Sequence, residues 1–355
     1  MNIHSLFHRI SSKRRLVRLP FCFSLTSITL FQSIASSRER ETTHKEVNGV
    51  ALKQLLARIE GDPTAGKREC IDSIEKLCKS GNLADAFYLF RELRDRQLCL
   101  NLDTYNLFLT SAGESNQCEL SSQIFKDLLI RGSPNSASYF SLAKSFLNVT
   151  DTDLLLKLSR ELSEITFPRS ALVMNRIIYA FAETGQNKKA LLIFEDMKNA
   201  KCKPDQITYN TVIAILGKMG KIDGMLQEFS SMKESGHLPD IITYNTLINS
   251  FRQMGRLDLC INLMREMVRN GIEPDLRSYT AMIDCLGRVG QVDEALELFS
   301  EMTNKRQKPS VYIYRSLISN LKKAGKWELA KRLSEEHRSC SANLIGPSDF
   351  KRKKR

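Results

Sequence analysis

Three features of this 355-residue chain combine residue types and spacings that could do chemistry. Gly61–Lys67 (GDPTAGK) has the GxxxxGK spacing of a phosphate-binding loop, which cradles phosphates with backbone N–H groups and needs a Ser or Thr hydroxyl next to reach Mg²⁺. Arg68 stands where that hydroxyl belongs and no strand-like run precedes the loop, so nucleotide binding is not expected. His44-Lys45-Glu46 matches the HxE of a zinc deaminase, but none of the nine cysteines forms the CxxC that would complete the metal site. Cys260 fills a slot held elsewhere in the same register by Ala190 and Ala295, so such cysteines read as small buried hydrophobes in a reducing compartment. No catalytic residue, metal or cofactor is expected. The third feature recurs: Asn175, Asn210 and Asn245 stand 35 residues apart, as do Asp205, Asp240 and Asp275. An Asp after Pro is an ordinary helix N-cap. An Asn inside the first turn of a helix costs about half a kcal/mol against Ala, and packing alone gives no evident reason to keep it in one register three times.

The elements that position these residues follow from the period. Segments starting at Asp205, Asp240 and Asp275 each hold an aromatic-led apolar run, a Gly, a second apolar run ending in Met, and then Pro. Ending each unit on its Pro-Asp pair gives units 171–205, 206–240, 241–275 and 276–310. The frame extends back through 136–170, 102–135 and 67–101, and forward to a truncated 311–345. Gly81, Gly185, Gly220, Gly255, Gly290 and Gly325 then share the fifteenth position, and Phe90, Phe194, Phe229 and Phe299 the twenty-fourth. Unit 136–170 lacks the glycine, with Asn148-Val149-Thr150-Asp151 at its turn.

In unit 241–275, Tyr244, Leu247, Ile248 and Phe251 mark one helical stripe, while Leu257, Ile261, Met264 and Met267 mark a second. Gly255 ends the first helix, and Gly271 with Pro274 stops the second. Neither helix can bury its stripe alone, so the pairs must stack on one another. The expected fold is all-α: a right-handed α-α superhelix of helix-turn-helix repeats, with first helices lining the concave face.

Net charge is +13, but residues 1–38 carry +6 and Lys351–Arg355 carry +5, leaving +2 for residues 39–350. Blanket attraction to phosphate is therefore not the main binding term of the array. Residues 1–38 are rich in Arg, Ser and Thr and lack acids, the composition of an organelle transit peptide. A secretory signal ending at Ser33-Ile34-Ala35 is the alternative. The apolar stretch Leu19–Ala35 is too short and polar to span a membrane, and no membrane insertion is expected. Residues 39–66 read as a linker and 346–355 as a basic tail.

The string TYNTLI followed by Gly, Asp, Met, Gly and Pro-Asp at 35-residue spacing resembles the pentatricopeptide repeat (PPR) proteins, over residues 67–345 and most specifically over 171–310. The plain units are similar to the P subclass. The resemblance implies single-stranded RNA read one base per unit, through the fifth and last positions. Asn175/Asp205, Asn210/Asp240 and Asn245/Asp275 would then be uracil-preferring pairs and Asn106/Asn135 a pyrimidine reader, while Thr280/Ser310 joins a purine-type Thr to an unusual partner. Ile71/Asn101, Phe140/Ser170 and Arg315/Ile345 depart from the pattern. Leu172, Ile207 and Ile242 at the second position would sandwich bases, and Arg277 would stack there instead. Lys218 and Arg288, with Lys79 and Lys323, would lie near the RNA backbone.

The reading that follows is a non-enzymatic organelle RNA-binding protein, mitochondrial ahead of plastid, acting by occupancy of a transcript. The competing reading is a protein-interaction scaffold, such as a subunit of an organelle ribosome or another ribonucleoprotein. Residues 1–60 fused to a fluorescent protein should label mitochondria or plastids. A diffuse or nuclear signal would remove the import reading.

Overall fold

Every apolar stripe marked by the period lies on a helix in this computed structural model, which describes residues 63–339 except 99, 167–170 and 201, together with residues 52, 54–58 and 61. The proposed import segment and basic tail lie outside the described residues. The chain divides into two units, 1–70 and 71–355. In the first, Arg58 pairs with Glu69 at 2.6 Å. Pro63–Lys67, which matched a phosphate loop in spacing, begins the helix Pro63–Lys79 (α1) and forms no loop.

Helices then follow in pairs: α2 (Leu83–Asp95); α3 (Leu102–Glu114) with α4 (Cys118–Arg131); α5 (Ser136–Ser145), then α6 (Thr152–Thr166); α7 (Leu172–Glu183) with α8 (Asn187–Asn199). Next come α9 (Gln206–Lys218) with α10 (Ile222–Glu234), α11 (Ile241–Gln253) with α12 (Leu257–Arg269), α13 (Leu276–Arg288) with α14 (Val292–Asn304), and α15 (Val311–Lys323) with α16 (Trp327–Ser339). Each first helix from α3 onward packs on the first helix of the next unit, so these helices form one continuous layer. The result is an α-solenoid.

The glycine register sets the turns. Gly255 has φ +72°, a left-handed conformation that costs little only without a Cβ. Unit 102–135 gives this conformation to Asn116 at φ +55°, a residue type that tolerates it better than most. Unit 136–170 uses a different device. Carbonyls at the end of α5 that already accept a turn N–H take a second donor from the next unit, where Gln186 Nε2 donates to the Ala143 carbonyl at 2.6 Å and Lys189 Nζ donates to that of Phe146. Burial at this spot pushes the Lys189 ammonium below its usual range. A carbonyl oxygen has two lone pairs, so each of these can accept a side chain beside its turn N–H.

Packing across the junctions repeats as faithfully as the turns. Phe90, Phe125, Phe194, Phe229 and Phe299 each set a ring edgewise against the Tyr at the fourth position of the next unit, with centroids 5.3 to 5.8 Å apart. Such pairs contribute about 0.5–1.5 kcal/mol beyond their buried area. Tyr244, Leu247, Ile248 and Phe251 are fully buried, as the stripe predicts. The second helix of that unit differs from expectation: Cys260, Leu263 and Met267 are buried, whereas Leu257, Ile261 and Met264 are half-buried. Leu257 and Met264 pack against the core of the following units around Tyr279 and Ile283. A second helix sits between its own partner and the next unit, so its apolar arc is wider than one stripe.

Close approach of the first helices depends on small residues. A Cβ on Gly287 would lie 2.1 Å from Asn320 Nδ2 and 2.8 Å from its Cγ, and one on Gly217 would lie 2.4 Å from Ser250 Oγ. The second-helix layer is laced by ion pairs between units: Lys126–Glu161, Arg160–Asp196, Lys198–Glu228 and Lys233–Glu266, at 2.6 to 3.1 Å. Among the described residues no helix is long and apolar enough to cross a membrane.

The junction tyrosines tie stability to pH. Tyr244 donates to Glu266 Oε1 at 3.1 Å and accepts from Asn270 Nδ2 at 2.8 Å, and burial pushes its phenol up to about 12. A phenol raised above its ordinary value of 10 stabilises the fold fully below about pH 10, and that contribution is lost as the pH climbs toward about 12. Urea unfolding followed by circular dichroism should show stability falling across this window. The fall should be shallower in Tyr244→Phe, and an equal slope in the two proteins would contradict the assignment.

Candidate nucleic-acid interface

The repeat-end residues are helix caps, as expected of Asp after Pro. Asp205, Asp240 and Asp275 each accept from the backbone N–H three residues on, at 2.8 to 2.9 Å. The hydroxyl of Thr208, Thr243 or Ser278 completes a capping box by accepting from the backbone N–H of the cap residue. Asn135 builds the same box with Ser138. The hydroxyl at the third position recurs in the sequence, and the spacing from cap to hydroxyl was the signal that could have revealed this partner.

The Asn side chains join these boxes from the preceding unit. Asn175 Nδ2 donates to Asp205 Oδ1 at 2.9 Å, and Thr208 Oγ1 donates to Asn175 Oδ1 at 2.5 Å. Asn245 Nδ2 reaches both Asp275 oxygens at 3.1 Å, and Ser278 Oγ donates to Asn245 Oδ1 at 2.6 Å. Asn106 makes a longer contact with Asn135 Oδ1, 3.4 Å, and takes a 2.6 Å bond from Ser138 Oγ. The fifth and last positions are thus brought together across three junctions. These bonds also give Asn a structural reason for its register, which stripe and propensity did not disclose.

Two junctions differ. Asn210 leaves its side-chain oxygen buried without a partner, while Thr243 Oγ1 donates to Asp240 Oδ1 at 2.9 Å. Thr280 turns its hydroxyl onto the Leu276 carbonyl of its own helix at 2.6 Å, and Ser310, fully buried, is the N-cap of α15, accepting from the Ile313 N–H at 3.3 Å. No hydrogen bond joins Thr280 to Ser310 among the described residues. Ser170 lies outside the described residues.

Around the ladder, Leu172, Ile207 and Ile242 are exposed by 47, 60 and 43%. Apolar side chains this open, one residue into successive helices, form a row rather than scattered surface positions. Arg277 is exposed at the same position of the next unit. The basic residues have acidic neighbours: Lys218 pairs with Glu183 at 2.8 Å, and Arg288 with Asp284 at 3.0 Å. Asp284 also holds Arg252 at 2.5 Å and accepts from Ser316. No group of three or more His, Cys, Asp and Glu suited to a metal ion occurs among the described residues.

Two family models match the chain: the PPR repeat family, over residues 169–214, 204–253, 239–288 and 277–323, and the PPR repeat, over residues 74–98. The chain belongs to the pentatricopeptide repeat family. A pentatricopeptide repeat-containing protein of Arabidopsis thaliana is 43% identical over 154 residues, covering 42% of each chain. The crystal structure of the pentatricopeptide repeat protein PPR10 from maize matches 83% of this chain and 42% of its own, at 19% identity and a TM-score of 0.51. PPR10 in complex with an 18-nt psaJ RNA element matches the same 83% and 44% of its own chain, at 20% identity and a TM-score of 0.48. This PPR chain spans less than half the length of each of these proteins.

The contrast between Asn175 and Asn210 is measurable. Asn175→Ala removes two junction bonds, one of them to the half-buried Asp205 carboxylate, so urea unfolding should show a loss of about 1–2 kcal/mol. Asn210→Ala deletes an already orphaned oxygen and should cost less than about 0.5 kcal/mol. Equal losses would mean that the two junctions are built alike.

Proposed function

We propose that this chain binds single-stranded RNA in an organelle and acts by occupancy, shielding or exposing a transcript segment for processing, splicing or translation. Its uniform units resemble the P subclass, and its plant relative fits an organellar setting. The observation that carries the reading is the Asn–Asp junction. An amide has two N–H donors and a carbonyl with two lone pairs. At Asn175 and Asn245 one donor is spent on the aspartate and one lone pair on the neighbouring hydroxyl. One donor and one acceptor are left over on each amide, half-buried at Asn245 and 5% exposed at Asn175. Uracil offers one N–H donor between two carbonyl acceptors, so a held amide of this kind is complementary to its edge.

On this reading, units 171–205, 206–240 and 241–275 take three consecutive uracils, with the N-terminal side of the array toward the RNA 5′ end. Leu172, Ile207 and Ile242 supply flat apolar contacts between successive bases. Asn106/Asn135 takes a pyrimidine. Thr280 with Ser310 is a weak reader, since the two do not hold each other.

The second reading, a protein-interaction scaffold within an organelle ribonucleoprotein, is favoured by the ion pairs of Lys218 and Arg288 with Glu183 and Asp284. These cations must exchange a carboxylate for a phosphate before they can add to RNA affinity. Co-purification from isolated organelles separates the readings: partners that survive RNase support the scaffold, while one enriched transcript footprint supports the RNA reader.

Filter binding supplies the direct test. An oligonucleotide centred on UUU should bind at least about tenfold more tightly than one carrying AAA, at about 1 kcal/mol per mismatch. Asn245→Thr combined with Asp275→Asn should shift that single unit from uracil toward adenine. Equal affinity for both oligonucleotides, or a swap that weakens binding to every sequence alike, would transfer these residues to a purely structural role.

A further inference from the structure

Unit 136–170 breaks the pattern at the position where its neighbours carry Asn. Phe140 stands there, between Asn106 in the preceding unit and Asn175 in the following one. Its ring meets that of Tyr179 in an edge-to-face contact, with centroids 6.3 Å apart and planes at 61°. Phe140 is half-buried, whereas Tyr179 is 51% exposed. Tyr179 lies four residues beyond Asn175 on α7, so it shares a helix face with that amide one turn away. The two rings therefore lie in the same row as the junction amides.

We infer that this aromatic pair is a base-stacking platform: the nucleotide facing unit 136–170 lays its base on the exposed face of Tyr179, with Phe140 backing the ring. The inference rests on the RNA-binding reading above and gives this unit a mode of recognition unlike that of its neighbours. A phenyl ring at the fifth position has no donor or acceptor with which to question a base edge. An exposed aromatic face takes any base, because every base has a π-face.

The surroundings favour a nucleotide over an apolar partner. Lys144, one turn beyond Phe140 on α5, is exposed, and so is Arg176, one turn before Tyr179 on α7. The Arg176 guanidinium lies 5.7 Å from the centroid of the Tyr139 ring. Two exposed cations flanking one exposed ring suit an anionic backbone with an aromatic base. The Tyr139 ring itself is buried against Phe125, so only Tyr179 and the edge of Phe140 are available.

Fluorescence anisotropy with labelled oligonucleotides tests this on the full chain. The oligonucleotides carry a central UUU, and an abasic site replaces the nucleotide on one side or the other. In the wild-type chain one of the two abasic sites should weaken binding by about five- to a hundredfold, the range of single-base stacking on an aromatic side chain. Placing A, G, C or U at that position should change affinity by less than about threefold, as expected where stacking and not edge contacts hold the base. Tyr179→Ala should weaken the intact oligonucleotide by the same factor and become indifferent to the abasic site, while Tyr179→Phe should behave as wild type. Helix content measured alongside will show that Tyr179→Ala is folded, as its exposure implies. Two results would overturn the platform while leaving the RNA-binding reading intact: wild-type affinity in Tyr179→Ala, or a strong preference for one base at the flanking position. Failure of the wild-type chain to bind any of these oligonucleotides would overturn both.

Discussion

At each regular junction one short side chain has to satisfy two masters. Asp205 accepts from the backbone N–H of Thr208, as an N-cap does, and accepts as well from the Asn175 amide on the preceding first helix. A capping group replaced by Ala costs a helix about 1 kcal/mol. Here the cap also fixes where the preceding first helix lies, because the Asn on that helix must reach it. The registration of one unit on the next is therefore set where a new helix begins. The phenyl–tyrosine contacts and the glycine-permitted approach of first helices build outward from it. The constraint recurs with the 35-residue period, and the 34-residue unit 102–135, one residue shorter between its fifth and last positions, keeps only the longer 3.4 Å contact of Asn106 with Asn135.

On the proposed RNA-binding reading, structure and recognition share the same atoms. In the sequence alone, the cost of Asn in a helix points to function, because packing offers it no partner. The structure supplies partners at Asn175, Asn245 and Asn106, so that ground is gone. The reading itself changes in kind. An amide with free rotation presents either its donor or its acceptor to a base, whereas one pinned by a carboxylate on its nitrogen side and a hydroxyl on its oxygen side presents a fixed pattern. Preorganisation of this sort reduces the ordering cost of binding. The orphaned oxygen of Asn210 marks the junction where the pinning is incomplete in the free chain.

How much of this was legible depends on whether a residue acts locally. The glycines at the fifteenth position and the aspartates after proline act on their own backbone, so φ preference and capping chemistry make them legible in the sequence. The Phe at the twenty-fourth position could be seen to recur, but its partner, the Tyr of the next unit, follows only from stacking. Unit 136–170 was legible as irregular and illegible in its repair. The Gln186 and Lys189 that close the end of α5 lie some forty residues on, and nothing in their spacing announces it. The same holds for Lys218 and Glu183, which occupy one register position in successive units and meet because first helices stack side by side. The sequence marks Lys218 as a cation for the RNA backbone and does not disclose its Glu183 neighbour.

The irregular unit shows what a solenoid gains from such departures. A run of identical Asn–Asp junctions would demand the same base at every step, and each added step would narrow the set of acceptable transcripts. On the stacking proposal, an aromatic pair set into the row would hold a nucleotide without asking its identity, keeping the strand in register between the junction of Asn106 and the three junctions beginning at Asn175. The shortened α5, the absent turn glycine and the borrowed caps from Gln186 and Lys189 fall in the same unit as Phe140. A unit freed from the Asn–Asp contact has also lost one of the bonds that registers it on its neighbour. Its carbonyl caps from the next unit restore that registration by another route.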